Sequence, residues 1–524
     1  MPSPTGVTTE PTRPTNTTST VSPAGPATEA DTADAPLASP LVTPVDDDPD
    51  ERTAPTAATP PSAPRNNPGD NAAGADSANA DPVNSDAGNA DSAKGKAKRG
   101  SMFSALRIRN YRYFFLGQVV SNSGTWIQRV AQDWLVLSLT GSAFAVGITT
   151  AMQFLPMLLF GLYGGVLSDR FPKRKLLVFT QGAMGVLAAI LAVLTLTGVV
   201  QVWDIYLLAF MLGMVTVVDN PTRQTFVAEM VGKKDLGNAV SLNAANFQTA
   251  RLIGPAVAGG LMAAFGTGWA FAINALSFAA VIAGLLVMRR SELHPYPKQP
   301  REKGQLKAGL HYVAGRPDLI WPIVLVGFIG TFGFNFAIIL SAFAYHVFHV
   351  GPGLYGLLNT AMAVGSLVGA LLAARHARPR LRLLVGAALA FGVLETVAGV
   401  APSYWVFAAL LTLVGVFGLT LNTAANSLIQ LRTAPAMRGR VMSLFMMVFT
   451  GGTPLGAPLV GWITEQYGPR VGLALCGGVS AIAAAAIGVV IARIGNLRLI
   501  VDWQRGPEHQ LLAFVPRQAA RSAA

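Results

Sequence analysis

Ionisable side chains are scarce in the long apolar stretches of this 524-residue chain, so each one found there is a candidate for chemistry. Arg129 and Asp133 are four residues apart and share one face of a predicted helix. A charged group in the middle of a membrane costs about 3 kcal/mol or more unless it is paired or hydrated. The pair therefore predicts either a protonation site at Asp133 that Arg129 modulates, or a neutralising ion pair.

Arg251 lies in the middle of another apolar stretch, with the polar residues Asn246 and Gln248 close by. At this depth, we expect the arginine either to attract an anionic group or to pair with an acid. Asp133, Glu395 and an anionic substrate are the alternatives. Glu395 is also a second candidate for carrying a proton.

A second set of charges lies where apolar stretches end. One group follows the second stretch, and another occupies the end of the fourth. We interpret them either as a cytoplasmic gate held by a charge network with Asp169 and Arg170, or as solvated helix ends. The predicted gate residues are Gly165, Asp169, Arg170, Lys173, Arg174, Asp219, Arg223 and Glu229.

Proline and glycine occupy corresponding positions in two of the stretches, Gly254-Pro255 in one and Pro454, Gly456 and Pro458 in the other. Paired breaks of this kind predict helix bends that serve alternating access. Tolerated kinks are the alternative, since both residue types are frequent in membrane helices.

The elements that carry these residues are apolar segments of roughly 20 residues, the length of a helix that crosses a ~30 Å hydrocarbon core. The chain is 51% hydrophobic and 13% charged, about half the charged share of soluble domains. These features predict an all-α integral membrane protein with twelve spans. The predicted spans are 113–138, 143–168, 174–197, 203–228, 238–264, 267–288, 318–346, 353–375, 381–401, 403–429, 440–464 and 469–492.

Charge is distributed unevenly along the chain, whose net charge is +12. Residues 1–99 hold 14 acidic and 7 basic side chains with few large apolar residues, which predicts a disordered tail. In the remainder, loop bases follow the even-numbered spans, and Arg470 is the one base after an odd-numbered span. The positive-inside rule then predicts that both termini are cytoplasmic. The basic excess sets topology and does not indicate nucleic-acid binding.

A shift of 202 residues aligns Gly213 with Gly415 and Gly254 with Gly456, so spans four and five resemble spans ten and eleven. Two pseudo-symmetric six-helix halves with a substrate cavity between them are predicted from this repeat. The predicted organisation is a disordered cytoplasmic tail (1–100), an N-terminal half (101–288), a cytoplasmic linker loop (289–317), a C-terminal half (318–492) and a cytoplasmic C-terminal tail (493–524).

Several function classes lack support in the sequence. There is no phosphate-binding Gly-x-x-x-x-Gly-Lys-Ser/Thr loop, and neither His-Glu-x-x-His nor Gly-x-Ser-x-Gly occurs. The single cysteine, Cys476, allows neither an intrachain disulfide nor a cysteine metal cluster. We therefore expect no enzyme, cofactor or metal, but a monomer in the plasma membrane that is driven by the proton gradient and binds a small molecule.

Residues 165–175 read GVLSDRFPKRK, and this loop resembles the signature loop of the major facilitator superfamily, with Pro172 in place of the second glycine. The resemblance implies a twelve-helix transporter in which Asp169 faces the cytoplasmic start of span eleven. The run from Asp219 to Pro255 is similar to the enterobactin-exporter-like branch, also called transmembrane secretion effectors. That similarity implies export of siderophores, macrolides or other bulky compounds.

The leading hypothesis is therefore a proton-coupled antiporter that exports a small amphipathic compound by alternating access. Two alternatives stay open. One is solute uptake by the same fold. The other is a membrane scaffold or sensor that binds partners through the acidic tail.

Overall fold

The computed structural model describes residues 103–294, 305–374, 381–494, 497–501 and 512–516. The predicted N-terminal tail, and the basic loop at 375–380, lie outside these residues. Short 3₁₀ turns cover Ser104–Arg107 and Arg290–Glu292. The helices are α1 (Arg109–Thr140), α2 (Ala143–Arg170), α3 (Lys173–Leu196), α4 (Val202–Phe265), α5 (Thr267–Val287), α6 (Gln305–Ala314), α7 (Pro317–Phe328), α8 (Phe336–Ala342), α9 (Pro352–Ala374), α10 (Leu381–Gly399), α11 (Tyr404–Arg432), α12 (Arg438–Gly451), α13 (Thr453–Tyr467) and α14 (Pro469–Ile494).

In the described part of the chain, ten helical segments are long and apolar enough to cross a membrane. One of them is α4, whose 64 residues would extend about 96 Å if the helix were straight, roughly three times the thickness of a hydrocarbon core. Predicted spans four and five both fall within it, on either side of a break at Gly232, where φ is 68°. The all-α membrane architecture is confirmed, and the count of twelve spans stays a prediction.

The two halves repeat the same helix packing. In the first half, a Cβ on Gly213 of α4 would lie 2.5 Å from the Gln153 carbonyl oxygen of α2. In the second half, a Cβ on Gly415 of α11 would lie 2.2 Å from the Met362 carbonyl oxygen of α9. Glycines aligned by the 202-residue shift thus bring equivalent helices together, which is why the repeat is visible in the sequence.

The halves meet at the end of the bundle that contains the turn after α1, here called the Gly141 end. A Cβ on Gly259 of α4 would lie 3.0 Å from Gly356 Cα of α9, and a Cβ on Gly461 of α13 would lie 3.0 Å from Phe144 Cα of α2. Gly259 and Gly461 are related by the same shift, so the two contacts are equivalent. The opposite end, with the α2–α3 turn, is called the Asp169 end.

Three regions contain local structure that the sequence did not indicate. The linker 289–317 is not only a loop, because it contains α6, which packs through Gly309 against Arg440 of α12. Predicted span seven is interrupted by π-helical turns at Ile329–Gly333 and Phe343–Val347. The C-terminal tail holds an antiparallel pair of strands, β1 (Leu497–Val501) and β2 (Leu512–Pro516), in which Leu499 faces Phe514.

Candidate functional site

Two arginines from different helices share one indole ring in the first half. The Arg129 guanidinium of α1 lies 5.2 Å from the ring centroid of Trp126, and that of Arg251 in α4 lies 6.0 Å from it. Phe247 packs edge-on against the same indole at 5.7 Å and is 47% exposed. Phe154 of α2 is 6.0 Å from Arg129. The cluster offers aromatic surface and positive charge together, and part of it is accessible.

Glycine sets the distance between the two helices that carry this cluster. A Cβ on Gly254 of α4 would lie 2.5 Å from Trp126 Cβ, closer than any side chain tolerates. Because Gly254 has no Cβ, α1 and α4 approach closely and place Arg251 beside Trp126. The sequence repeat pointed to Gly254 as a bend, whereas the structure shows it as a contact.

Asp133 lies one turn beyond Arg129, at the boundary between the halves. Its carboxylate interacts electrostatically with Arg129 and with Tyr355 of α9. The neighbouring Trp134 stacks on Tyr355 with ring centroids 5.4 Å apart. The buried Tyr355 hydroxyl lies beside the Asp133 carboxylate, but the two do not form a hydrogen bond of standard geometry. Asp133 is therefore placed where movement of the halves changes its surroundings.

The predicted ion pair between Arg129 and Asp133 does not form. Among the described residues no carboxylate lies within salt-bridge distance of Arg129, and its Nε is buried without a hydrogen-bond partner. The helix spacing brings the two side chains to one face. The Arg129 guanidinium, however, packs on the indole of Trp126 and not against the Asp133 carboxylate. With Arg251 alongside, the site brings together two basic side chains and one acidic side chain.

The predicted acid partners of Arg251 also need correction. Its charged neighbour is Arg129, with which it shares Trp126. Glu395 is 1% exposed and lies beside Cys476, where α10 packs on α14, and its Oε2 has no hydrogen-bond partner among the described residues. Asn246 is buried, and its Nδ2 has no hydrogen-bond partner within the part of the chain that the structure describes. Gln248 is half-buried. The site roles predicted for these residues stay predictions.

At the Asp169 end, Asp219 is fully buried and is satisfied within its own half. It forms an ion pair with Arg223 and accepts hydrogen bonds from Thr180 Oγ1 and Gln181 Nε2, each at 2.8 Å. Arg223 also donates to Gln118 Oε1 at 3.1 Å. This network ties α1, α3 and α4 together, and the predicted charge network of these residues with Asp169 and Arg170 stays a prediction.

The remaining predicted gate residues surround the turn between α2 and α3. Lys173 forms an ion pair with Glu229 of α4. Arg174 donates to the carbonyl oxygens of Leu285 and Leu286, which end α5. Gly165 is buried, Asp169 is half-buried and Arg170 is exposed. Their proposed role as a gate stays a prediction.

The two predicted bend sites differ from each other. The second one lies where the helix is interrupted between α12 and α13, directly before Pro454, with Pro458 inside α13. Gly456 packs there against the Thr331 carbonyl oxygen in the first π turn. In α4, helical geometry continues through Gly254 and Pro255, and the break is at Gly232. Of the two predicted bend sites, only the one at Pro454 therefore coincides with a helix break in the described part of the chain.

Sequence reasoning missed a polar contact between the halves at the Gly141 end. Glu465 Oε2 of α13 accepts hydrogen bonds from the Ser142 hydroxyl and from Phe144 N–H, the latter at 3.0 Å. Ser142 also caps α2 by accepting from Ala145 N–H at 3.1 Å. The carboxylate thus lies at the positive end of the α2 dipole. Serine before a helix was the available signal, but its partner is more than 300 residues away.

We expect E465Q to favour separation of the halves at the Gly141 end. The exposed carboxylate contributes about 0.5–1 kcal/mol, which corresponds to about a two- to fivefold shift between closed and open states. Crosslinking of a T140C/Y467C pair, in a background with Cys476 replaced by serine, measures the closed fraction. The matched control is E292Q, at an exposed ion pair with Arg289. Equal crosslinking in E465Q and the unmodified protein would contradict the prediction.

Comparison with known proteins assigns the chain to a family. The family model described as transmembrane secretion effector matches residues 100–503. The Staphyloferrin A transporter of Staphylococcus aureus is 24% identical over 368 residues, which cover 68% of this chain and 90% of that protein. The enterobactin exporter EntS of Citrobacter koseri is 27% identical over 375 residues, covering 70% and 88%.

Solved structures show the same fold at low sequence identity. A bacterial homolog of the human lysosomal transporter Spinster, in an inward-facing and unoccupied conformation, matches with a TM-score of 0.59 at 14% identity over 72% of this chain and 96% of that one. The nucleoside transporter NupG matches with a TM-score of 0.56 at 12% identity over 74% and 99%. The chain is therefore a multi-pass membrane transporter of the major facilitator superfamily, and it belongs to the transmembrane secretion effector family.

Proposed function

We propose that this transporter is a proton-coupled antiporter of the plasma membrane that exports an anionic siderophore. The observation that carries the proposal is the pair of guanidinium groups on Trp126, with Asp133 one turn away. Two arginines that form no ion pair among the described residues suit anionic oxygens, and the indole suits a planar apolar part of the ligand. Relatives named as an enterobactin exporter and a staphyloferrin A transporter support this substrate class.

Asp133 is the proposed proton carrier, because closure of the Gly141 end brings it against Tyr355. Burying a charged carboxylate is unfavourable, so protonated Asp133 favours the state that is closed at this end. Loss of the proton on the cytoplasmic side restores the charge. The charge then favours reopening of the Gly141 end with substrate bound. This cycle requires both termini in the cytoplasm and the Gly141 end outside.

Export from energised membrane vesicles tests the proposal. Vesicles loaded with the siderophore of the source cell should lose it when a proton gradient is imposed, and an ionophore that collapses the gradient should stop this loss. Unchanged efflux after collapse would contradict proton coupling. Gradient-driven accumulation on the cytoplasmic side would instead support solute uptake by the same fold.

Replacement of Arg251 tests the anion site. We expect R251Q to raise the KM for the siderophore about tenfold or more, because a hydrogen bond to a charged group contributes about 1.5–3 kcal/mol. R251K keeps the charge and should recover part of the affinity. Transport assays over a range of substrate concentrations separate KM from kcat. A lower kcat with an unchanged KM in R251Q would indicate a structural role for Arg251 and contradict the anion site.

A further inference from the structure

A cavity of about 770 Å³ opens at the Asp169 end, apart from the Trp126 cluster. It lies between the turn that joins α2 to α3, the stretch of α4 with Phe226 and Glu229, and the chain that follows α5. Five of its lining residues are basic and two are acidic. The ionisable lining residues are Asp169, Arg170, Lys173, Arg174, Lys175, Glu229 and Arg290.

Positive charge in this cavity is only partly compensated. The Glu229 carboxylate already forms an ion pair with Lys173. Arg174 donates to two backbone carbonyl oxygens, which carry no full charge, and its guanidinium is repelled by that of Arg290. In the described part of the chain, no ion pair involves Arg170, Lys175 or Arg290. An anion between these groups would relieve the repulsion.

The rim of the cavity is apolar and exposed. Phe171 is 55% exposed and Leu286 is 61% exposed, and both line the cavity beside the bases. Leu286 belongs to the last turn of α5, an apolar segment long enough to cross a membrane. The ligand should therefore combine a phosphate-like anion with hydrocarbon, which is a property of membrane lipids and not of soluble phosphate.

We propose that this cavity binds the headgroup phosphate of an anionic phospholipid from the surrounding membrane. Arg174, Arg290 and Lys175 contact the phosphate, Arg170 adds positive charge beside them, and the acyl chains lie along Phe171 and Leu286. The inference is independent of the exported substrate, because the site is lined by residues of the first half at the Asp169 end.

Lipid selectivity of the full-length protein tests the proposal. The protein is placed in bilayers of phosphatidylcholine with a minor share of spin-labelled phosphatidylglycerol, and the protein-bound fraction of the label is measured. We expect the preference for phosphatidylglycerol to fall about fivefold for each charge removed in R170Q/K175Q/R290Q. The matched control K233Q/K234Q/R438Q removes three bases outside the cavity and should keep the wild-type preference.

Three outcomes would overturn the proposal. An equal loss of preference in both triple variants would leave only general surface attraction. The absence of any preference for phosphatidylglycerol in the unmodified protein would also contradict the site. Inorganic phosphate that binds the detergent-solubilised protein and displaces phosphatidylglycerol would identify a soluble anion as the ligand instead. None of these measurements depends on transport, so their failure would not bear on the siderophore proposal.

Discussion

D133N is expected to abolish export driven by a proton gradient while exchange of substrate across the membrane continues. Asparagine has nearly the shape of the carboxyl side chain but cannot take up or release a proton. The halves of D133N should therefore still move with substrate bound, but the gradient has no group on which to act. Proteoliposomes with an imposed pH gradient, compared with proteoliposomes that contain substrate on both sides, measure the two activities separately.

E395Q is the matched control for this prediction. Glu395 is also a buried acid, but it lies between α10 and α14 beside Cys476, away from the contact between Asp133 and Tyr355. We expect E395Q to keep gradient-driven export. The proposed carrier is wrong if E395Q loses this activity while D133N keeps it. Loss of both export and exchange in D133N would point to damage to the fold.

G456A is expected to prevent assembly of the second half. The added Cβ would lie 1.8 Å from the Thr331 carbonyl oxygen, so α13 and the π turn at Ile329–Gly333 must move apart by more than an ångström. Because the obstacle is backbone, no side-chain rotation can relieve it. Overpacking of this kind costs about 1–3 kcal/mol, and more where the backbone itself must move. Size-exclusion chromatography in mild detergent measures the folded yield.

G478A supplies the control for G456A. Gly478 is also in a helix of the second half, but an added Cβ there would meet nothing within 4 Å. The same chemical change should therefore leave the yield unaffected. Equal yields of G456A and the unmodified protein would contradict the close packing at Thr331.

Much of the fold could be predicted because the membrane imposes simple rules on sequence. Segment length and the scarcity of charge give the helices, and the repeat of Gly213 at Gly415 gives the two halves. The order of elements along the chain follows directly from these patterns. The break at Gly232 falls between predicted spans four and five, but the sequence did not show that the helix continues up to it from both sides.

Site contacts were less predictable because they depend on how helices are rotated against each other. Helix spacing placed Arg129 and Asp133 on one face, but it contains no information on Trp126 or Arg251 as competing neighbours. The Gly254 contact, which brings those groups together, is set by tertiary packing. Glu465 was missed for the same reason, since its partners Ser142 and Phe144 belong to the other half.

The glycine contacts at the Gly141 end also have a kinetic consequence. Gly259 meets Gly356, and a Cβ on Gly147 would lie 2.5 Å from the Ala457 carbonyl oxygen, so at these two points the halves touch through backbone. Backbone contacts of this kind can separate without first moving large side chains out of pockets. We therefore expect these glycine contacts to add little to the activation barrier to separation, even though they are close.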